Sequence, residues 1–216
     1  GGSPAGDVSV PQVGIAIRAG SADNTVGGIG NLGNVISNNT VGVEIGSGAT
    51  GNKILGNKIG TNPAGTLATA NETGVLLTFA NENEIGDGVA GSGNIISGNA
   101  GNGIRINQSS DNTVKGNIIG LTATGEPLGN GGHGILLTNS SGTMIGGEGA
   151  GDGNMIGANT GSGIEIIDDA PAPDSDFTRL FGNLIGCFRA QGTPIRLVGN
   201  GGDGIRVIGG GFGGAG

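Results

Sequence analysis

An all-β solenoid of about seven stacked coils is the fold class this sequence predicts. Three observations carry that reading: a tetrad that recurs along the chain, an asparagine that recurs beside it, and a composition that cannot fill an ordinary globular core. Self-similarity comes first because it decides architecture before any local propensity does. A Gly-apolar-x-apolar tetrad begins at Gly14, Gly42, Gly74, Gly103, Gly134, Gly163 and Gly204, at intervals of 28, 32, 29, 31, 29 and 41 residues. Taken two at a time, the intervals sum to 60, 60 and then 70, so the deeper period is a pair of coils.

Within each tetrad the apolar residues alternate, which is the pattern of a strand with one face turned inward. Ile104, Ile106, Ile135, Leu137, Ile164 and Ile166 are expected inside; Arg105, Leu136 and Glu165 are expected outside. Strands this short bury nothing alone. Stacked on equivalents ~4.8 Å away, they form a parallel sheet with a continuous aliphatic column beneath it. Two further short strands follow in each coil. In one coil type they are separated, as in NTVGG from Asn24 and GNVI from Gly33. In the other they nearly abut, as in NKILGNKIG from Asn52 and NTVKGNIIG from Asn112.

The recurring asparagines are Asn34, Asn57, Asn94, Asn117, Asn154 and Asn183, all at one corner of the repeat. Asn tolerates a left-handed backbone, and its amide both donates and accepts, so a stacked column can hydrogen-bond from coil to coil. The column reads as structural rather than catalytic.

Composition agrees. Glycine accounts for 53 of 216 residues, Trp and Tyr are absent, and Phe numbers five, so the core must be thin and aliphatic. The formal charge of −8 supplies no basic footprint for nucleic acid. No segment has the length and hydropathy of a membrane span. With Cys187 as the one cysteine, no intrachain disulfide can form. The whole chain, 1–216, is expected to be a single domain, with repeats over about 14–208, Gly-rich termini at 1–6 and 209–216, and an insert at 168–176.

From Gly14 to Ile208 the chain resembles the right-handed parallel β-helix repeat proteins of the pectate-lyase-like fold. Stretches such as NTVGGIGNLGNVISNNTVGVEI and GNKIGTNPAGT carry the resemblance, and are similar to repeats of large secreted or surface-attached bacterial proteins. An extracellular or cell-surface location is what this resemblance implies. The fold hosts lyases, hydrolases and epimerases alongside adhesins, so it does not settle function.

The motifs of the enzymes are incomplete here. Polygalacturonases carry Asn-Thr-Asp, Asp-Asp, Gly-His-Gly and Arg-Ile-Lys in that order; this chain has Gly132-His133-Gly134, Asp168-Asp169 and Arg105-Ile106-Asn107 in another. His133 shares its repeat position with Asn102, Ser162 and Asp203, and reads as a turn residue. Glu165 and Arg206 fall on adjacent coils and are expected to form a surface ion pair. Cys187 has no repeating His partner to make it a nucleophile.

The departure from the repeat is the DDAPAPDSD insert. Asp168, Asp169, Asp174 and Asp176 make it a weak calcium candidate, and no other cofactor is expected. Phe177, Phe181 and Phe188 follow it, and with the outward Leu76 and Leu136 they mark a possible protein interface.

Two function classes remain. The main reading is a non-catalytic structural or adhesive solenoid whose partners are further copies of itself, stacked end to end, other surface proteins, or polysaccharide. Strand-like sequence begins soon after GGSPAGDVSV and GGGFGGAG follows the last tetrad without an amphipathic cap, which motivates the stacking. The alternative is a polysaccharide-active lyase, hydrolase or epimerase with a site near Asp168 to Arg206.

Overall fold

The computed structural model describes residues 12–30, 32–168, 177–189 and 194–209. Three parallel sheets run the length of the stack. The first has seven strands: Val13–Ile17, Val41–Gly46, Thr73–Thr78, Ile104–Asn107, Ile135–Thr138, Ile164–Asp168 and Ile205–Gly209. The second has six, from Thr25–Gly27 to Arg179–Phe181, and the third six, from Val35–Ile36 to Leu184–Ile185. The chain visits the three in turn, so each circuit adds one strand to each sheet.

Register follows the tetrads. Ile104 pairs with Ile135 and Ile135 with Ile164; Arg105 meets Leu136, Leu136 meets Glu165, and Glu165 meets Arg206. Ile104, Ile106, Ile135, Leu137 and Ile164 are 0% exposed and Ile166 4%, in one aliphatic core that also takes Ile54, Ile85, Ile119 and Ile156 from the other sheets. The glycine that opens each tetrad is there for space. A Cβ on Gly103 would sit 2.7 Å from the Gly134 carbonyl oxygen and 2.9 Å from the Asn130 amide nitrogen. Any larger residue would push the coils apart.

Leu136 and Glu165 face outward as expected, but outward positions are not all accessible. Glu165 faces away from the core yet is only 6% exposed, and Leu76 and Leu136 are half-buried rather than exposed. An outward side chain in a stack has a neighbour on each side at strand spacing, so facing outward and being accessible are different properties. Arg105 is exposed.

The Asn34–Asn57–Asn94–Asn117–Asn154–Asn183 column is a continuous hydrogen-bonded ladder. Each Oδ1 accepts both the backbone N–H and the side-chain amide of the preceding member, as Asn117 does from Asn94 at 3.0 and 2.8 Å. Two more ladders run parallel to it. One is Asn24–Asn52–Asn83–Asn112; the other is Asn39–Asn71–Asn99–Asn130–Asn159–Asn200. Each occupies a corner between two sheets, where backbone groups would otherwise be buried without partners.

The pairing of coils has a physical cause. Odd coils carry long loops between the second and third sheets, at 28–33, 87–93 and 147–153, while even coils turn there on a single glycine. That glycine donates to the loop of the following coil: Gly56 N–H to Ser92 O at 2.7 Å, and Gly116 N–H to Asp152 O at 2.9 Å. A long loop needs a tight corner beneath it, so the two types alternate. Even coils compensate between the third and first sheets with small hairpins, closed by antiparallel contacts of Thr61 with Ala68, Leu121 with Pro127, and Cys187–Phe188 with Arg196–Leu197.

Candidate functional site

The outer face of the first sheet brings ionisable side chains together. His133 immediately precedes Gly134, and its backbone N–H donates to Asn102 Oδ1 on the preceding coil at 2.8 Å. Its Nδ1 accepts the Ser162 backbone N–H from the following coil at 3.1 Å and lies 3.2 Å from Glu165 Oε2. Ser162 Oγ donates to the same carboxylate oxygen at 3.3 Å. His133 is therefore fixed from both sides by the coils it stacks between, with a buried carboxylate against one ring nitrogen.

That arrangement has two proton positions. While Nδ1 accepts from Ser162, the ring proton sits on Nε2. When a proton occupies Nδ1 and faces Glu165, Nε2 presents a lone pair. A group able to hold its proton on either side of one ring can serve as acid or base, provided a substrate reaches Nε2. The His133 side chain is 27% exposed and Glu165's is 8%, so the imidazole is the member a ligand can touch.

Arg206 lies in register with Glu165, and Arg105 stands two strands away in the same outward column. The expected Glu165–Arg206 pair is not formed: the Glu165 carboxylate turns instead to His133 and Ser162. Among the described residues neither Arg105 nor Arg206 has a carboxylate partner. Arg18, Lys53, Lys115 and Arg196 do, in Glu44, Glu84, Asp152 and Glu126.

The other sequence candidates are not gathered here. Asp169, Asp174 and Asp176 lie outside the described residues. Asp168 ends its strand with a buried Oδ1 that makes no hydrogen bond, and no group of three His, Cys, Asp or Glu among the described residues could hold a metal. Phe188 is 4% exposed, packed with Leu121 and Val198 in a small second core beneath the last hairpin. Phe177 and Phe181 are exposed at 79% and 41%. Cys187 is half-buried in the same hairpin. Among the described residues no helix is long and apolar enough to cross a membrane.

Sequence reasoning missed the His133–Glu165 contact because it compared residues only down columns. His133 and Glu165 are diagonal neighbours, one position before a tetrad glycine and two positions after the next.

No family model matches the chain, and no curated protein sequence does. Among solved structures, the A-module of the Azotobacter vinelandii mannuronan C-5 epimerase AlgE4 aligns at a TM-score of 0.58 and 14% identity, over 92% of this chain and 49% of that one. A mutant of the periplasmic alginate epimerase AlgG aligns at a TM-score of 0.48 and 17% identity, over 91% of this chain and 48% of that one. The chain thus spans about half the length of these structures. With three parallel sheets, aliphatic columns and this likeness together, the chain is a right-handed parallel β-helix of the pectate-lyase-like fold.

Proposed function

We propose that the chain is polysaccharide-active, acting outside the cell or at its surface on a chain of uronic acids through the outer face of the first sheet. The observation that carries this reading is the Nδ1 of His133 held 3.2 Å from Glu165 Oε2, in a column that also presents Arg105 and Arg206. The reaction class it suits is proton abstraction beside a carboxylate. In the tautomer whose Nδ1 proton faces Glu165, with the Ser162 N–H bond to Nδ1 released, His133 Nε2 removes the proton on the carbon next to the uronate carboxylate. The electron pair moves into that carboxylate, whose charge an arginine offsets. Delivery of a proton from water to the opposite face, with His133 passing its proton to solvent, gives an epimer; expulsion of the neighbouring glycosidic oxygen, protonated by the His133 imidazolium or by water, gives an unsaturated end. The structural neighbour that is a mannuronan C-5 epimerase supports the first outcome.

The test is incubation of the purified chain with mannuronan and with polygalacturonate, followed by proton NMR for epimers and ultraviolet absorbance for unsaturated ends. Turnover of one polymer is expected, falling about 10²–10⁴-fold in His133→Ala and in Glu165→Gln while the circular dichroism spectrum is kept. Absence of turnover in the parent, or undiminished turnover in both variants, overturns the reading.

A second reading, a structural solenoid that associates with itself, draws on one observation. Ile205 and Val207 continue buried columns of the core and are nevertheless 46% and 67% exposed.

A further inference from the structure

Two cavities open on the outer face of the third sheet, each bounded by outward residues of its strands and by an odd-coil loop, and the line between them along the stack is a candidate trough. The smaller, of about 140 Å³, is lined by Gly30, Gly33, Val35, Gly56 and Lys58; the larger, of about 600 Å³, by Gly149, Gly153, Met155, Gly182, Leu184 and Arg189. They occupy equivalent places in the repeat. Each joins an odd-coil loop, the odd-coil floor residue Val35 or Met155, and the next coil's corner glycine and floor residue. Four coils separate them, ~19 Å at the sheet spacing.

Each cavity presents one cation. The chain has nine Lys and Arg, of which four are paired with carboxylates, leaving Lys58, Arg105, Arg179, Arg189 and Arg206 among the described residues. Two of those five therefore belong to this trough. Lys58 is held over it by a 2.8 Å hydrogen bond from Nζ to Pro63 O. The rest of the lining is glycine peptide and aliphatic floor, a surface that suits the alternating hydroxyl and C–H faces of a pyranose. One sugar residue of a linear polysaccharide advances about as far as one coil of the stack, so a single extended chain can reach both cavities.

We infer that this trough is a second binding groove, taking an anionic linear polysaccharide along the axis of the stack and separate from the His133 face. It does not depend on the proton-transfer reading, because it requires no chemistry. The net charge of −8 opposes a polyanion at long range, so binding rests on the local cations and weakens with salt.

Binding of a decasaccharide and a disaccharide of galacturonic acid, with a neutral cellodextrin as control, tests this by titration calorimetry. The decasaccharide is expected to bind at least tenfold more tightly than the disaccharide and the neutral chain. Lys58→Gln combined with Arg189→Gln should lose at least tenfold. Gly30→Asn should weaken binding too: Gly30 has φ near +72° and nothing within 4 Å of a built Cβ, so Asn fits the backbone and fills the smaller cavity. Arg105→Gln and His133→Ala should leave a decasaccharide-binding phase intact. Absence of binding, equal binding of the neutral chain, or loss through Arg105 with none through Lys58 and Arg189, overturns the inference and leaves the catalytic reading to its own assay.

Discussion

Replacing Asn117 by Ala should be among the most damaging single changes available outside the aliphatic core. Asn117 is 0% exposed. Its Oδ1 accepts from Asn94 N–H at 3.0 Å and Asn94 Nδ2 at 2.8 Å, while its Nδ2 lies within reach of Ile85 O at 2.8 Å, Lys115 O at 3.1 Å and Asn154 Oδ1 at 3.0 Å. Two amide hydrogens cannot fully serve three acceptors, so about four bonds are effective. Alanine strands at least the Asn94 backbone N–H and one carbonyl, each costing about 1–3 kcal/mol when buried, for a loss of about 4 kcal/mol. That is a large share of a stability of about 5–15 kcal/mol. Asn183 ends the same ladder, is half-buried, and makes three such bonds, so Asn183→Ala should cost about 1–2 kcal/mol. Urea unfolding followed by circular dichroism gives both values, and amide exchange shows whether protection is lost first around Asn94 and Asn154. Equal losses in the two variants, or a loss at Asn117 no larger than that at Asn183, would refute the ladder as a cooperative unit.

Three further outcomes are expected. Thr143 takes the ladder position after Asn112, is 0% exposed, and its Oγ1 makes no hydrogen bond; Thr143→Asn should extend the ladder and raise the urea midpoint by an amount equal to about 1 kcal/mol. The Arg196 guanidinium, bonded to Glu126 at 2.7 Å, holds that carboxyl below its usual 4.5, so the pair's contribution is present above that pH and fades as pH falls through the lowered value. Arg196→Gln should flatten the acid limb of a stability–pH curve, and an unchanged limb would count against the pair. If the second reading of function holds, sedimentation of the parent at high concentration should show species larger than the 20.6 kDa chain, reduced by Val207→Lys; a single monomer in both discards it.

The sequence revealed the fold more fully than the site, for a physical reason. Inward residues repeat because each must match the one beneath it, so Ile104, Ile135 and Ile164 recur at a readable interval. The ladder through Asn117 was readable on the same ground. The ladder through Asn130 was equally present three or four residues before each tetrad glycine from Gly42 onward, but its spacing shifts by one between coils and hid it. The outward face carries no such matching rule. Whether Glu165 pairs with Arg206 or His133 depends on diagonal geometry that no interval encodes, and the burial of Phe188 depends on a hairpin folding over Leu121.

That asymmetry bears on where activity belongs in such a stack. A substitution in an inward column disturbs its own coil and the two that touch it, so those positions are held to aliphatic residues and asparagine. Outward positions answer only to their immediate neighbours, and Ala16, Glu44, Leu76, Arg105, Leu136, Glu165 and Arg206 succeed one another down a single column. Against that freedom, a carboxylate buried to 6% exposure and aimed at an imidazole is the costly choice. An outward Gln at 165 would keep a hydrogen-bonding group there without a buried charge. If burying that charge costs stability, Glu165→Gln should leave the unfolding midpoint unchanged or raise it. A variant that is as stable as the parent but no longer turns over polyuronate would show that the charge is kept for chemistry. One that is equally stable and fully active would return the pair to the scaffold.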